Sequence, residues 1–166
     1  SDSGFRADYG GTLTLPVLTN MTNGGFGSNW DGDYWDQRAS VLNLPELQKT
    51  TGYTQYRALD GGVISSPKLN NLDNDNVYIR GVNSTMGLSN VTTLNSSYVN
   101  LESANAITSL SISNMTGSTL YLQSSPVTTL PLSVMQSSTI YSWYTTNVTL
   151  PSLTTASDSG FRASNR

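Results

Sequence analysis

The residues best suited to chemistry crowd into one short stretch. The run Gly24-Gly-Phe-Gly-Ser-Asn29-Trp30-Asp31-Gly32-Asp33-Tyr34-Trp35-Asp36 holds two of the three tryptophans. Aromatic rings beside carboxylates suit sugars: the ring covers C–H faces and the carboxylate accepts hydroxyl hydrogen bonds. Trp30, Asp31, Asp33, Tyr34 and Trp35 are therefore candidate ligand-binding residues, with a glycan as the expected ligand. The competing reading is that the tryptophans cover the end of a core and the carboxylates stay in water. Asp31, Asp33 and Asp36 also resemble a loose calcium loop, with hard oxygens on nearby residues. No Glu stands at the twelfth position, so it is no EF-hand. Asp73-Asn74-Asp75-Asn76 is a second such cluster, which turn preference alone would explain. Calcium is the one cofactor these residues suggest.

Other chemistry is excluded by composition. The chain has no His and no Cys. That removes the usual base near neutral pH, the thiolate nucleophile and the soft metal ligands. Carboxylates such as Asp31 and Asp36 could in principle cleave glycosides. They stand on one glycine-rich loop that would hold no fixed separation, so a non-enzymatic protein is expected. The net charge is −3 with a pI of about 4.6, and Lys49 and Lys68 are the only lysines, so no basic stripe exists for nucleic acid. No apolar run approaches the roughly 20 residues of a membrane span. Asn20, Asn83, Asn90, Asn95, Asn114 and Asn147 open N-x-S/T sequons, which a chain rich in Asn, Ser and Thr produces by composition.

These groups must be held by short elements that repeat. Leu18, Leu47, Leu69, Val91, Ile112, Leu132 and Leu153 form one apolar column, spaced by 22, 22, 21, 20 and 21 residues after a first step of 29. Five residues before each stand Leu13, Leu42, Ile64, Met86, Ile107, Val127 and Val148. Three after stand Met21, Thr50, Leu72, Leu94, Met115, Met135 and Ala156. Eight after stand Phe26, Gln55, Val77, Val99, Leu120, Ile140 and Phe161; in the coil of Leu47 either Gln55 or Tyr56 takes that place. Segments such as Val77-Tyr-Ile79 alternate with period two, as strands do. The spacing predicts an all-β, short-repeat solenoid of about seven coils of about 21 residues, in a single domain over 1–166 with an inserted loop at about 23–38. At ~4.8 Å per coil the rod is roughly 35 Å long. A β-sandwich would not require one residue class in each column.

Pro16, Pro45, Pro67 and Pro151 stand two before the reference column, where a residue without an N–H marks a corner. Pro131 is one residue out of step. Tyr78, Tyr121 and Tyr141 share an outward column that Asn100 interrupts, and Trp143 and Tyr144 extend it. Such a strip is a cross-strand ladder that stabilises a sheet, a ligand surface, or a contact between chains.

Leu44-Pro-Glu-Leu47, Leu130-Pro-Leu132 and Ile107-Thr-Ser-Leu110-Ser-Ile112-Ser-Asn114-Met115 resemble leucine-rich repeats, with Asn114 one residue early for that family's asparagine. From about Leu13 to Phe161 the chain is similar to the divergent repeats of bacterial surface proteins and phage appendages, of leucine-rich-repeat or β-helix kind. The resemblance implies a scaffold or binding protein at a cell surface or on a virion.

Ser1-Asp-Ser-Gly-Phe5-Arg6-Ala7 recurs as Ser157-Asp-Ser-Gly-Phe161-Arg162-Ala163. Phe161 lies in the second-strand column, and Phe5 lies where that column would fall one coil before Leu13. The repeats share one phase. This suggests one unit of a longer tandem array, or copies joined head to tail through Phe5, Arg6, Phe161 and Arg162. The expected function is a structural unit of an extracellular filament, surface layer or virion appendage. The alternative is an adhesion module that binds carbohydrate through residues 29–36.

Overall fold

A computed structural model describes residues 3–29, 39–144 and 147–164. β1 (Ser3–Ala7) is followed by β2 (Thr12–Thr14) and β3 (Asn20–Asn29), then by β4 (Val41–Asn43) and β5 (Lys49–Leu59). β6 (Val63–Ser65), β7 (Asn71–Asp73) and β8 (Asp75–Arg80) make the next coil. β9 (Thr85–Met86), β10 (Thr93–Asn95) and β11 (Tyr98–Glu102) make another. The rest alternate short and longer strands: β12 (Asn114–Thr116), β13 (Thr119–Gln123), β14 (Val134–Gln136), β15 (Thr139–Trp143), β16 (Thr155–Ser157) and β17 (Gly160–Ser164).

Every pairing is parallel. An eight-stranded sheet runs the length of the rod in the order β1-β3-β5-β8-β11-β13-β15-β17. A five-stranded sheet, β7-β10-β12-β14-β16, and a four-stranded sheet, β2-β4-β6-β9, form the other faces. The protein is a parallel β-solenoid of about seven coils, about 21 residues apart, and no described residue is helical. A coil of this kind has three small faces, none able to bury its apolar side alone; stacking closes a continuous core.

The apolar columns turn inward. Leu47, Leu69, Leu72, Leu94, Leu101, Met115, Leu120, Leu122, Leu132 and Met135 are fully buried along the axis. Leu13, Leu15, Leu18 and Phe5 at one end, and Val148, Leu150 and Leu153 at the other, continue the same core half-buried. Tyr56, not Gln55, fills the column between Phe26 and Val77. The cause is one extra residue in β5: pairing passes from Thr22↔Thr51 to Gly24↔Thr54. Gly52 takes φ 73° there, and the Asn23 carboxamide oxygen accepts the Tyr53 N–H at 3.0 Å. Residues 23–29 are strand, so the inserted loop is shorter than 23–38.

The prolines mark corners. In Leu15-Pro-Val-Leu18, Leu44-Pro-Glu-Leu47, Ser66-Pro-Lys-Leu69 and Leu150-Pro-Ser-Leu153 the fourth residue's N–H donates to the first carbonyl at 3.2–3.4 Å. Proline's fixed φ suits the second position of such a turn. Residues 130–133 around Pro131 form neither turn nor strand, and its neighbour Leu130 donates its N–H to Thr149 across the coils at 3.0 Å.

The other two corners need left-handed backbone. Asn74, Ser96, Gly117 and Ser137 have φ of 48–60° at one corner, and each donates its N–H to the next coil at 2.8–2.9 Å. At the corner after the long strand Asp60, Ser103, Ser124 and Tyr144 have φ of 48–52° and Gly81 has φ 100°, and each donates its N–H to the next coil at 2.8–3.0 Å. Asn and Gly tolerate this region; serine and tyrosine there are held by the surrounding ladder.

Candidate functional site

Three features carry chemistry-bearing groups: the outer face of the eight-stranded sheet, an interior polar column, and the two edges of that sheet. Trp30, Asp31, Asp33, Tyr34, Trp35 and Asp36, the predicted sugar and calcium residues, lie outside the described residues.

The outer face bears the predicted tyrosine strip. Register places Arg6, Gly27, Arg57, Tyr78, Asn100, Tyr121, Tyr141 and Arg162 in one row along the rod. Asn100 does interrupt it, but Tyr98 fills the gap from the neighbouring row. Ring centroids run Tyr78–Tyr98 at 5.5 Å, Tyr98–Tyr121 at 5.6 Å and Tyr121–Tyr141 at 4.2 Å. Tyr98 was missed because only one outward position per strand was followed; period two puts both 98 and 100 outside. Trp143 closes the strip edge-on to Tyr121 and Tyr141, and the Arg162 guanidinium lies 5.6 Å from the Tyr141 ring centre. Tyr144 does not join the strip. It is the corner residue beyond β15, at φ 51°.

Ring orientation decides what this strip can do. Tyr121 and Tyr141 are 9° from coplanar, face to face along the rod. Their faces are spent on each other, so they offer edges and hydroxyls rather than a flat platform. That geometry is the cross-strand ladder, contributing roughly 0.5–1.5 kcal/mol per pair beyond burial. Burial, and after it the neighbouring phenols Tyr78, Tyr121 and Tyr141, raise the Tyr98 pKa to about 12.

The interior column lies one residue past the left-handed corner. It runs Thr54, Asp75, Ser97, Ser118, Ser138 and Ser159, with Ser3 and Gly24 in register beyond Thr54. Each N–H from Asp75 to Ser138 donates to the next coil's serine Oγ at 3.0–3.3 Å. Each of those hydroxyls donates in turn to the carbonyl two residues back at 2.7–2.8 Å. The place that the resemblance would give to an asparagine is held by the buried Met115, and Asn114 donates to Ser113 at 3.1 Å; the serine ladder stands three residues further on, at Ser118. The signal in the sequence is serine at steps of 21, 20 and 21 from Ser97 to Ser159, which a polar, serine-rich composition conceals.

Asp75 occupies a serine place. It is 2% exposed; its carboxylate accepts from the Thr50 hydroxyl at 2.9 Å and from the Asp73 N–H at 2.9 Å, with no ion-pair partner among the described residues. Burial pushes its pKa up to about 6, against those hydrogen bonds. The Tyr56 hydroxyl, 3.4 Å from Thr50, is also raised, by burial and then by Asp75. Asp73 faces outward and accepts from Asn95 at 2.8 Å, so the two carboxylates of the second cluster diverge. Among the described residues no three acidic groups gather as metal ligands.

The sheet edges are β1 and β17, which pair only with β3 and β15. Phe5 and Phe161 fall in one column, with Phe26, Tyr56 and Ile140 between. Phe5 stacks on Phe26 at 6.0 Å and Phe26 on Tyr56 at 5.3 Å. Phe161 is 49% exposed, where Ile140 one coil earlier is 3%. Arg6 is held by Asp8 at 2.6 Å. No family model, curated protein or solved structure matches the chain.

Proposed function

We propose that this solenoid is a non-catalytic structural unit that stacks end to end with copies of itself or with neighbouring units of the same kind, as the shaft of an extracellular filament, surface layer or virion appendage. The observation that carries this reading is the pair of sheet edges. Both are parallel strands with the same Gly-Phe-Arg-Ala sequence, at one phase of the coil, and among the described residues each pairs with a strand on one side alone. Free parallel edges are templates for pairing, and a head-to-tail contact propagates when both ends fit.

The core supports it as well. Its apolar columns arrive at both ends half-exposed, and Phe161 presents a ring to whatever follows. In the register of the internal coils, β17 of one copy meets β1 of the next with Phe161 against Phe5 and Ala163 against Ala7. The aromatic column would then run through the joint. Arg162 would lie beside Arg6; Asp8 and the Tyr141 ring flank these like charges and moderate their repulsion.

Sedimentation across a concentration series tests the reading. The expected result is a growing series of linear oligomers, and Phe161→Asp, which puts a charge into the joint, should return the chain to monomer. A wild-type chain that stays monomeric at every concentration sinks the proposal.

A further inference from the structure

The repeat shows what each inward column normally holds, and the coils of Leu47 and Leu69 depart from it at one place. The column of Met21, Leu72, Leu94, Met115 and Met135 holds Thr50 there. The column of Phe26 and Val77 holds Tyr56. The serine column holds Thr54 and Asp75, register partners on β5 and β8. All four residues are buried, Thr54 and Tyr56 completely. Their oxygens converge. The Thr50 hydroxyl donates to both Asp75 oxygens, at 2.9 and 3.0 Å, and the Tyr56 hydroxyl lies 3.4 Å from that of Thr50.

The backbone opens at the same point. The five-stranded sheet stops at β7, so residues 49–51 form no ladder with β7 although their coils are neighbours. The Asp73 N–H donates to the Asp75 carboxylate instead. The extra residue of β5 falls between Thr50 and Thr54, and a bulge at an interrupted ladder is a device that re-aims side chains. The Thr54 hydroxyl, wholly buried on the carboxylate's side, has no partner of hydrogen-bond geometry. A buried carboxylate without a counter-charge and a buried hydroxyl without a bond are both costly, and here they stand together. One charge satisfies both. Carboxylate and hydroxyl oxygens are hard ligands of the kind that alkali and alkaline-earth cations take, and a hydroxyl that donates keeps lone pairs to accept with. Only one carboxylate faces inward, since Asp73 turns out to Asn95 at 2.8 Å, so the cluster matches a single positive charge.

We propose that Asp75, Thr54, Thr50 and Tyr56 bind one monovalent alkali cation between the coils of Leu47 and Leu69, tying together two segments that no backbone ladder joins. The site lies within one chain, so it does not rest on the stacking proposal. Thermal unfolding at about pH 8, at one dilute protein concentration and fixed ionic strength, tests it in sodium, potassium, tetramethylammonium and calcium chlorides. Sodium or potassium should raise the wild-type unfolding temperature above its value in tetramethylammonium by about 3–6 °C at a tenfold excess over the dissociation constant. The more effective ion is the one that fits. Thr54→Val and Asp75→Ser should each lose that difference. Thr54→Val is the sharper variant, because the hydroxyl it removes bonds nothing in the chain and has no other reason to alter a salt response. Should it fail to fold, Asp75→Ser, which restores the column's own residue, carries the test. The pH response of an uncompensated carboxylate then belongs to the chain in tetramethylammonium buffer, and the alkali ion reduces it. Three outcomes overturn the proposal: equal unfolding temperatures in the alkali and tetramethylammonium salts, an alkali response undiminished in either variant, or a larger response to calcium than to either alkali ion that is lost in Asp75→Ser.

Discussion

Asp75 is the residue most at odds with its surroundings. The column it occupies is otherwise one of neutral hydroxyls, and it brings a carboxylate with no ion-pair partner among the described residues. Its pKa of about 6 lies above the ordinary 3.8, so the folded chain binds the proton more tightly than the unfolded one. Stability should therefore be greatest below about pH 4 and fall as pH rises from there through about 6, losing on the order of 2–3 kcal/mol at this site. Asp75→Ser, which restores the ladder's own residue, should raise stability at pH 7 by a similar amount and flatten the profile between those limits. Urea unfolding at pH 4 and pH 7 measures both. An equal pH response in wild type and variant would mean that the charge sits elsewhere.

At the scale of the element, the coil is an alternation of inward and outward residues interrupted by three corners. The apolar columns were legible because hydrophobic burial demands one residue class at each inward place, whatever else varies. Two corner types were not. A left-handed corner is recognised by glycine or asparagine, yet Ser96, Ser103, Ser124 and Ser137 serve here because the next coil accepts their N–H groups. The serine ladder was hidden for a similar reason: a hydroxyl buried by its neighbours looks, in sequence, like any surface serine. Tyr56 displaced Gln55 through a bulge that counting at fixed offsets cannot see. Ser118→Ala tests the ladder. It strands the buried Ser97 N–H, and should cost about 1–3 kcal/mol in chemical denaturation. A cost within the ~0.5 kcal/mol of an ordinary surface change would remove the ladder from the account. The aromatic strip is legible as a row of tyrosines, but not the orientation of its rings: Tyr121 and Tyr141 lie face to face, while Tyr98 is tilted against both of its neighbours.

At the scale of the whole molecule, a solenoid has no natural length. Each coil is stabilised by its neighbours, so an end is simply a coil with one neighbour. Here both ends of the long sheet present the same strand, with Phe5 and Phe161 in one column and the core columns half-exposed behind them. On the proposed stacking, the molecule would be one segment of a shaft.

The central claim is that the internal register continues from β17 of one copy to β1 of the next. The native chain has no cysteine, which makes the register directly measurable. In-register neighbours on parallel strands lie about 5 Å apart, within the usual disulfide range. A chain carrying both Arg6→Cys and Arg162→Cys should, on mild oxidation, give a ladder of dimers, trimers and longer species that reductant collapses to monomer. Monomer alone after oxidation, at concentrations where the wild type sediments as oligomers, would contradict that register.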